Sequence, residues 1–571
     1  MIRIKIITIL VACAFLLLIF GLIFLEVIQG NKFRALSDKN SIRLLPQSGA
    51  RGKILDRDGN VIVDSKLSYD VMISPQRSGS REEALMGVSR VLKISQNDLR
   101  EKIKKDYISM SVPVVIAKNI DIKKAIALEE LKPDLAGVII QPNPQRRYPY
   151  NSLAAHVIGY LNEIDRWRLT SLADYGYKTR DYVGFGGVEE KYDYYLRQEQ
   201  GGLSVEVDHR GRSVRVLGFK PPKNGKDIQL TLSLKIQRIV EDYLADRKGS
   251  VIIMDPYTGE ILAMASSPVF NPAVFVDRNG SSISDIFNNR DAPLINRAIS
   301  GTFPPASVFK VISAVAGLET KKISLSKTFV CTGSTFIGRR EFNCWSKHGE
   351  ENLIQAIAHS CDSFFYKTGL LLGPLVIHDY ALKFGLSKST SFELPYEAAG
   401  FIPSSLWKKV NRFQNWYEGD TANLVIGQGD CLVTPLQVTR MMAVFANKGY
   451  LVTPYIVQRI DGKDVSVYQK KISYLGLKDS TIENIRLGLK EVVSDATGTG
   501  NVLSGLPVSV AGKTGTAQAP PGLSHAWFAG FFPFKNPKYV ICVFLERGGP
   551  GYASCVLAKQ IIEAMVNIGA I

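Results

Sequence analysis

A serine and a lysine stand three residues apart in the apolar segment GTFPPASVFKVISAVAGLE, which covers residues 301–319. The apolar pattern and the Pro-Pro pair before Ser307 predict the start of a buried helix. Residues three apart on a helix share a face, so Lys310 can lie beside Ser307. A serine becomes a nucleophile when a base takes its proton, and a lysine whose pKa is lowered can be that base. The segment therefore predicts a serine nucleophile with a lysine base.

The Ser-x-x-Lys pattern is weak by itself, because it recurs at Ser324 and Ser405, which we predict to be solvent-exposed. A nucleophilic serine also needs a proton relay, an anion anchor and an oxyanion hole. Ser360 and Asp362, in AIAHSCDSFFY, are the candidates for the relay. A Lys-Thr-Gly at Lys367 follows closely, but its helical pattern predicts a structural role.

A second Lys-Thr-Gly, within KTGTAQ, supplies the anion anchor. On an edge strand, Lys513 and Thr514 can bind a substrate carboxylate, and Gly515 lets the backbone approach closely. The N–H of Thr516 can pair with that of Ser307 as an oxyanion hole. The order Ser-x-x-Lys, Ser-x-Asp, Lys-Thr-Gly is much more specific than any of its members.

Three cysteines and a histidine lie between the first two motifs or within the second. They are Cys331, Cys344, His348 and Cys361, with the spacing C-x12-C-x3-H-x12-C. Three thiolates and one imidazole form the usual ligand set of a structural zinc site. The alternatives are a disulfide between the first two cysteines, or unrelated buried thiols. Because the last cysteine separates the two relay residues, a metal here would hold the relay loop in place.

The N-terminus carries a charge-free apolar run that is long enough to span a bilayer. Arg3 and Lys5 precede the run, so the positive-inside rule predicts a cytoplasmic N-terminus. The alternative is a signal peptide, but FLEVIQGNKF offers no convincing cleavage site. We predict a cytoplasmic tail at 1–5, an uncleaved anchor at 6–28 and an extracytoplasmic remainder.

The remainder divides by pattern into a pedestal at 29–245 and a catalytic domain at 246–571. The pedestal is predicted to be mixed α/β and non-catalytic, with a helical pattern from about 80 to 135. In the catalytic domain, VIIM and EILAMA flank the turn DPYTG, which predicts a β-hairpin. Three strand-like runs near the C-terminus predict antiparallel strands, so one sheet would combine both ends of an α+β domain.

The formal net charge is +17, and the basic residues are spread along the chain. Diffuse positive charge suits an anionic membrane surface or an anionic polymer. The sequence contains no zinc-finger array, aromatic-basic motif or basic helix of the kind that binds nucleic acid. We therefore predict no nucleic-acid partner.

The ordered motifs resemble those of class B penicillin-binding proteins, and the likeness covers nearly the whole chain. The stretches that carry it are RGKILDRDG, FGGVEEKYDYYL, DPYTGEILAMASSP, INRAISGTFPPASVFK, IGQGDCLVTPLQ and AGKTGTAQ. Within the class, the chain is most similar to the elongation type, penicillin-binding protein 2. In that type, Ser-x-Asp is a familiar variant of the common Ser-x-Asn.

The resemblance implies a peptidoglycan D,D-transpeptidase with a C-terminal penicillin-binding domain, an antiparallel sheet flanked by helices. Ser307 would attack the penultimate D-Ala of a stem peptide and release the terminal D-Ala. Lys310 would accept the serine proton, Ser360 would protonate the leaving amine, and Asp362 would orient Lys310 or the substrate. The Lys-Thr-Gly motif would bind the terminal carboxylate. A neighbouring stem would then resolve the acyl-enzyme, and β-lactams would acylate Ser307.

The resemblance also implies partners and a metal. The partners would be a multi-spanning RodA-type glycan polymerase and the scaffold protein MreC. Zinc occurs near the active site of some elongation-type members, with mixed Cys, His and Asp ligands, and this chain offers a sulfur-rich set at comparable positions. No glycosyltransferase domain is evident, so the chain is predicted to cross-link glycan strands without polymerising them.

Three other functions share these motifs. A serine β-lactamase needs a group that activates water for deacylation, and we identify none. A membrane-bound β-lactam sensor needs a signalling part before the sensor, and the anchor follows a tail of about five residues. A division-type transpeptidase differs in its partners rather than its chemistry, and the Ser-x-Asp motif and the Cys/His cluster favour elongation.

Overall fold

The computed structural model describes residues 2–32, 42–73, 81–107, 113–131, 135, 137–179, 181–207, 213–277 and 280–571. These residues belong to two compact units, and the chain enters each unit more than once. The first unit comprises Met1–Arg51, Ser65–Gln145 and Arg197–Gly225. The second unit comprises Gly52–Asp64, Arg146–Leu196 and Lys226–Ile571.

The first unit begins with an apolar α-helix, Ile2–Ile23, which continues as one π-helical turn, Phe24–Ile28. Within the described ranges, Ile4–Ile28 is the one helix that is long and apolar enough to cross a membrane. The apolar side chains of this helix are not buried against the rest of the protein. Its length and composition are those expected of the predicted anchor.

The rest of the first unit contains two strand layers and three helices. The strands Ile42–Gln47, Gly201–Val207 and Ser213–Lys220 form an antiparallel sheet in that order. A second layer pairs the end of the long strand Val61–Ile73 with Val114–Ile120 and Val138–Arg147. The helices are Arg81–Leu92, Gln96–Asp106 and Ile122–Glu130.

The helical pattern that we predicted from residue 80 to 135 is wrong for Val114–Ile120, which is a strand. Its alternate residues Val114 and Ile116 are buried in the same apolar core as Leu85 and Leu99 from the neighbouring helices. Pairing with residues 69–73 therefore decides the conformation of this segment, as packing commonly does for strands.

A five-stranded antiparallel sheet forms the centre of the second unit. Its spatial order is Ile261–Ser267, Gly249–Met254, Tyr539–Leu545, His525–Phe532 and Ala511–Ala517. The first two strands form the predicted hairpin, and the other three are the predicted C-terminal strands, so the sheet combines both ends of this part of the chain. The KTG strand, Ala511–Ala517, lies at its edge.

Both faces of this sheet are covered, because successive strand residues point to opposite sides. Val251 and Ile253 join an apolar cluster with the C-terminal helix Gly551–Asn567. Ile252 and Met254 join the cluster on the other face, which includes the helix Pro435–Ala446. A strand buried on both faces is apolar at every position, which explains the unbroken run VIIM.

The remaining elements of the second unit lie outside this sheet, and four of its short strands, Ile54–Leu55, Ile228–Leu230, Val457–Ile460 and Lys463–Asp464, pair in another sheet. Its other α-helices are Ala155–Ile158, Arg166–Leu172, Gly187–Lys191, Asp193–Leu196, Leu234–Leu244, Ala273–Asp277, Gly280–Asn288, Lys310–Glu319, Leu353–Ala358, Asp362–Leu372, Pro374–Lys383, Ser405–Arg412, Glu418–Val425, Ser466–Gln469 and Asp479–Ser494. Its 3₁₀ turns are Ala173–Tyr175, Ala306–Phe309 and Asn501–Leu503. Its other strands are Ile54–Leu55, Tyr160–Glu163, Tyr182–Phe185, Ile228–Leu230, Phe329–Cys331, Ser334–Ile337, Arg340–Asn343, Gly349–Glu351, Tyr450–Val452, Val457–Ile460, Lys463–Asp464 and Ile472–Tyr474.

Candidate active site

Ser307 lies in a 3₁₀ turn, Ala306–Phe309, that leads directly into the α-helix Lys310–Glu319. The sequence predicted that an α-helix would already contain Ser307. The tighter turn begins at Ala306, whose φ of 48° lies in the left-handed region. Residues i and i+3 eclipse each other in a 3₁₀ turn, so Ser307 and Lys310 still line up.

A glycine from the stretch IGQG supports this turn. The N–H of Ala306 donates to the carbonyl of Gly427 at 2.9 Å. Gly427 has a φ of 69°, and a Cβ there would lie 2.5 Å from the carbonyl oxygen of Ala306. Only glycine therefore fits at this contact, which fixes the backbone just before Ser307.

Lys310 is fully buried, and its ammonium is bound by the relay motif. Its Nζ donates to the carbonyl of Ser360 at 2.8 Å and to Ser360 Oγ at 3.2 Å. It also lies 2.7 Å from Asp362 Oδ1. An ammonium has three donors, and the motif offers three acceptors. The buried charge in this apolar helix is thus compensated by the motif that the sequence predicted as its relay partner.

The relay loop has a constrained backbone. Ser360 has a φ of 55°, a conformation that non-glycine residues rarely adopt. The next residue, Cys361, is the N-cap of the helix Asp362–Leu372, and its Sγ accepts from the N–H of Phe364 at 3.4 Å. The cap and the left-handed turn together aim Ser360 and Asp362 at one ammonium.

Lys513, the first residue of the KTGTAQ motif, is also fully buried. Its Nζ donates to the carbonyl of Thr514 at 3.3 Å. Burial lowers the pKa of Lys513 well below its usual value, the nearby charge of Lys310 lowers it further, and Asp362 opposes both. Two lysines and one carboxylate therefore share this interior, and a second positive charge there is disfavoured.

The KTG strand packs against the serine turn and is fixed by neighbouring loops. A Cβ at Gly515 would lie 3.1 Å from Val308 Cγ2 and 3.2 Å from the carbonyl oxygen of Pro305. The close approach that we predicted for Gly515 is therefore to the serine turn. The carbonyl of Thr516 accepts from Gln428 Nε2 at 3.3 Å.

Thr499 is a positioning residue that our sequence analysis missed. Thr514 Oγ1 donates to Thr499 Oγ1 at 2.8 Å. The N–H of Thr499 donates to the carbonyl of Ala358 at 3.2 Å, two residues before Ser360. Thr499 thus joins the KTG strand to the relay loop. The Gly/Thr-rich turn ATGTG between a helix and a strand was its sequence signal.

The predicted cysteine and histidine residues come together beside the relay loop. One ligand atom from each of Cys331, Cys344, His348 and Cys361 lies within 4.8 Å of the others. His348 Nδ1 is 3.5 Å from the Sγ atoms of Cys331 and Cys344. All three cysteines are free, so the alternative disulfide is not formed. The backbone N–H of Asp362 donates to Cys344 Sγ at 3.3 Å.

This cluster has the donor set and the electrostatics of a metal site. The hydrogen bond between Cys344 and Cys361 lowers the pKa of Cys344 and raises that of Cys361. Two thiols in contact thus share one proton, which a cation would displace. His348 Nδ1 faces two sulfur atoms, while its buried Nε2 is without a hydrogen-bond partner among the described residues. The four residues fit a tetrahedral metal ion.

The repeated motifs lie outside the site, as predicted. Ser324 and Ser405, the other Ser-x-x-Lys serines, are exposed. Lys367 lies within the helix Asp362–Leu372, and its Nζ donates to the carbonyl of Val330 at 2.9 Å. It therefore ties a helix to a strand and is not part of an anion site.

Two family models match the chain. The penicillin binding protein transpeptidase domain matches residues 249–567, and the penicillin-binding protein dimerisation domain matches residues 46–230. Together they confirm the predicted fold class, a dimerisation domain followed by a penicillin-binding transpeptidase domain. The domain limit between residues 245 and 246 stays a prediction.

Curated relatives match over nearly the full length. The peptidoglycan D,D-transpeptidase MrdA of Acinetobacter baumannii is 32% identical over 565 residues, which cover 95% of this chain and 84% of the relative. The MrdA of Escherichia coli K12 is 30% identical and covers 96% of this chain and 91% of the relative.

Solved structures agree with these matches. Penicillin-binding protein 2 of Helicobacter pylori, solved in complex with MreC, superposes with a TM-score of 0.83 at 26% identity, covering 93% of this chain and 99% of that one. A peptidoglycan synthase complex that coordinates polymerisation and cross-linking contains a chain with a TM-score of 0.75 at 28% identity, covering 99% of this chain and 98% of that one. The protein therefore belongs to the penicillin-binding protein 2 family of peptidoglycan D,D-transpeptidases.

Proposed function

We propose that Ser307 is the nucleophile of this D,D-transpeptidase and that it cross-links stem peptides during cell elongation. The observation that carries the proposal is the buried ammonium of Lys310, bound to Ser360 and Asp362 and placed one turn after Ser307. Burying a lysine costs desolvation free energy, and packing alone gives no reason to bury one beside a serine turn. A catalytic role explains this position better.

In the proposed reaction, Ser307 Oγ attacks the carbonyl carbon of the penultimate D-Ala. Lys310 accepts the hydroxyl proton, for which it has to be neutral, because an ammonium has no lone pair. The peptide C–N bond then breaks, and Ser360 donates its hydroxyl proton to the leaving D-Ala amine while it takes up the proton held by Lys310. The amine of a neighbouring stem attacks the ester, and Ser307 is regenerated.

The substrate carboxylate is assigned to the exposed side of the KTG strand. The sequence predicted that Lys513 binds this carboxylate. Because its side chain is fully buried, we infer that it instead supports the KTG strand, close to the charges of Lys310 and Asp362. Thr514, oriented by Thr499, and the exposed Thr516 are the groups that contact the carboxylate. Thr514 donates its hydroxyl proton to the carboxylate when Thr499 donates its own proton to Thr514 Oγ1. The N–H groups of Ser307 and Thr516 form the oxyanion hole. A β-lactam presents a carbonyl and a carboxylate in the same arrangement, so it acylates the same serine.

We also propose that Zn²⁺ is the metal held by Cys331, Cys344, His348 and Cys361. A set of three sulfur atoms and one imidazole suits zinc, and four protein ligands leave no open position, as in structural sites. The bound metal would supply no chemistry to the reaction. Its ligand Cys361 would hold the relay loop in the conformation that Lys310 requires.

The membrane arrangement follows from the anchor. With Arg3 and Lys5 before the span, the N-terminus is cytoplasmic and the chain after the anchor is extracytoplasmic. The Helicobacter pylori relative binds MreC, and the synthase complex couples cross-linking to polymerisation. We infer that this chain likewise binds an MreC-type scaffold and a RodA-type polymerase in the bacterial inner membrane.

Intact-mass spectrometry of the full chain in detergent, followed over time with a penicillin, tests the proposal. We expect one long-lived adduct in the wild type and none in Ser307→Ala. Ser324→Ala and Ser405→Ala, which remove the other Ser-x-x-Lys serines, are matched controls and keep the adduct. A transient adduct with rapid drug turnover would indicate a β-lactamase instead, and an adduct on Ser307→Ala would show that another serine reacts.

A further inference from the structure

The second unit contains a cavity of about 240 Å³ that the proposed reaction does not use. Its walls come from five separate stretches of chain, including the FGG turn at 185–187 and the stretch before the serine turn. The residues that matter for its chemistry are Tyr160, Phe185, Phe270, Asn296, Ser300 and Tyr396.

Aromatic rings form much of the lining. Tyr160 stacks on Phe185 with 5.5 Å between ring centroids and meets Phe270 edge-on at 5.8 Å. Apolar cavities of about 150 Å³ bind benzene, and drug-sized ligands need about 300 Å³ or more. The volume therefore suits one ring with a small polar group, and the apolar lining excludes a sugar chain or a charged ligand.

Asn296 provides that polar group with a donor. It is a buried residue, and its Oδ1 accepts from the N–H of Ala298 at 3.1 Å. Its Nδ2 is 3.5 Å from the carbonyl oxygen of His156, which is the outer limit of a hydrogen bond. An amide N–H with such a weak partner can donate to a ligand carbonyl.

Tyr396 connects the cavity to the segment that carries the nucleophile. Its φ of 66° is unusual for a bulky residue, and backbone strain of this kind is often found at binding and switch regions. Its hydroxyl donates to Glu190 Oε1 at 2.9 Å, and its carbonyl accepts from Ser300 Oγ at 2.8 Å. Ser300 precedes the serine turn, which begins at Ala306.

We propose that this cavity binds an uncharged, ring-bearing amide and that its occupancy raises the rate of acylation at Ser307. The ring fills the space between the aromatic side chains, and the amide carbonyl accepts from Asn296. A filled cavity holds Tyr396 and Ser300 against the segment before Ser307, which preorganises the nucleophile. The rate effect rests on the proposed role of Ser307, whereas binding does not.

The ligand chemistry has two sources, a small free amide and an aromatic residue of a polypeptide. The probes are therefore N-acetyl-phenylalanine amide and the peptide Gly-Gly-Phe-Gly-Gly, with N-acetyl-lysine amide as the charged control. Binding to the full chain is measured by saturation-transfer NMR, and acylation is measured with a fluorescent penicillin at saturating probe.

Three variants locate the binding. Leu294→Trp fills the cavity from its half-buried rim, and Asn296→Asp keeps the acceptor for Ala298 but removes the donor. Leu325→Trp, which makes the same substitution at an exposed leucine that does not line the cavity, is the control. Thermal unfolding checks that each variant is folded. If one of the two cavity variants does not fold, the other one is sufficient for the test.

We expect the phenylalanine probe to bind the wild type and Leu325→Trp, and to bind Leu294→Trp and Asn296→Asp at least tenfold more weakly. Acylation of the wild type should rise at least threefold with probe bound. Equal binding to all variants, binding of the lysine probe, or an unchanged rate at saturation would overturn the proposal.

Binding of both phenylalanine probes indicates a polypeptide source, and binding of the small amide alone indicates a free ligand. A wild type that binds the probe but is never acylated would refute the role of Ser307 instead.

Discussion

Lys310 and Asp362 form a buried ion pair in which 2.7 Å separates Nζ from Oδ1. The lysine side chain is fully buried, and the carboxylate is 16% exposed. In the common Ser-x-Asn motif an amide stands where this chain has a carboxylate. This chain therefore places a carboxyl group, rather than an amide, against the buried lysine, and the consequences are measurable.

Removing the carboxylate leaves a buried ammonium without its counter-charge. We expect Asp362→Ala to lower the free energy of unfolding by about 3 kcal/mol and acylation by at least a hundredfold. Asp362→Asn keeps an oxygen acceptor for Lys310, so its losses should be clearly smaller. Denaturant unfolding and penicillin acylation kinetics measure the two effects. Wild-type acylation in Asp362→Ala would contradict the assignment.

The contact between Thr499 and Thr514 predicts an effect on affinity rather than on chemistry. Thr499→Val keeps the shape but removes the acceptor for Thr514 Oγ1. A lost hydrogen bond of about 1 kcal/mol corresponds to about fivefold weaker binding of the penicillin before acylation. The limiting acylation rate should change less than twofold, and Thr499→Ser should restore binding. A fall in the limiting rate alone would instead place Thr499 in the relay.

Metal removal should affect both stability and the relay loop. We expect one zinc ion per chain by elemental analysis, and a chelated protein that unfolds at a lower temperature and acylates about tenfold more slowly. Cys331→Ser should behave like the chelated protein. Cys13→Ser, which changes a thiol of the anchor, should not. Unchanged stability and acylation in verified metal-free protein would contradict the structural role of the metal.

His156 predicts acid sensitivity in the second unit. Burial, and to a smaller extent the charge of Arg297, lower its pKa to about 4, although its hydrogen bond to the carbonyl of Pro293 opposes them. The unfolded chain binds a proton at this histidine below pH 6.5, and the folded chain resists until about pH 4. The contribution of His156 to the free energy of unfolding is therefore fully present above pH 6.5, and it falls by about 3 kcal/mol as the pH drops to 4.

His156→Gln isolates this contribution, because its amide can still donate to Pro293. Carboxylates also titrate in this range, so the difference between wild type and variant is the quantity to measure. Denaturant unfolding at pH 7, 5.5 and 4.5 should give a difference that changes steadily toward acid. A difference that is constant with pH would mean that His156 does not resist protonation in the folded protein.

The sequence was sufficient to predict the structure where local pattern and chemistry indicate the same arrangement. The hairpin around DPYTG, the C-terminal strands and the shared location of Lys310, Ser360 and Asp362 follow from periodicity and motif spacing. It was insufficient where long-range packing decides. Val114–Ile120 is a strand because a neighbouring strand pairs with it. The ATGTG turn marks Thr499 as a loop residue, but its contact with Thr514 depends on how that loop crosses a strand, which no local pattern encodes.

The order of synthesis has a consequence for this sheet, whose strands come from both ends of the second unit. Met254 pairs with Val540, about 290 residues later in the chain. At ~5–20 residues per second, the first hairpin waits roughly 15 to 60 s for this neighbour. The KTG strand joins the sheet through His525–Phe532, which itself pairs with Tyr539–Leu545. Ser307 therefore emerges long before its active site exists, and a chain interrupted before its last strands has an unreactive serine and an open sheet edge that invites aggregation.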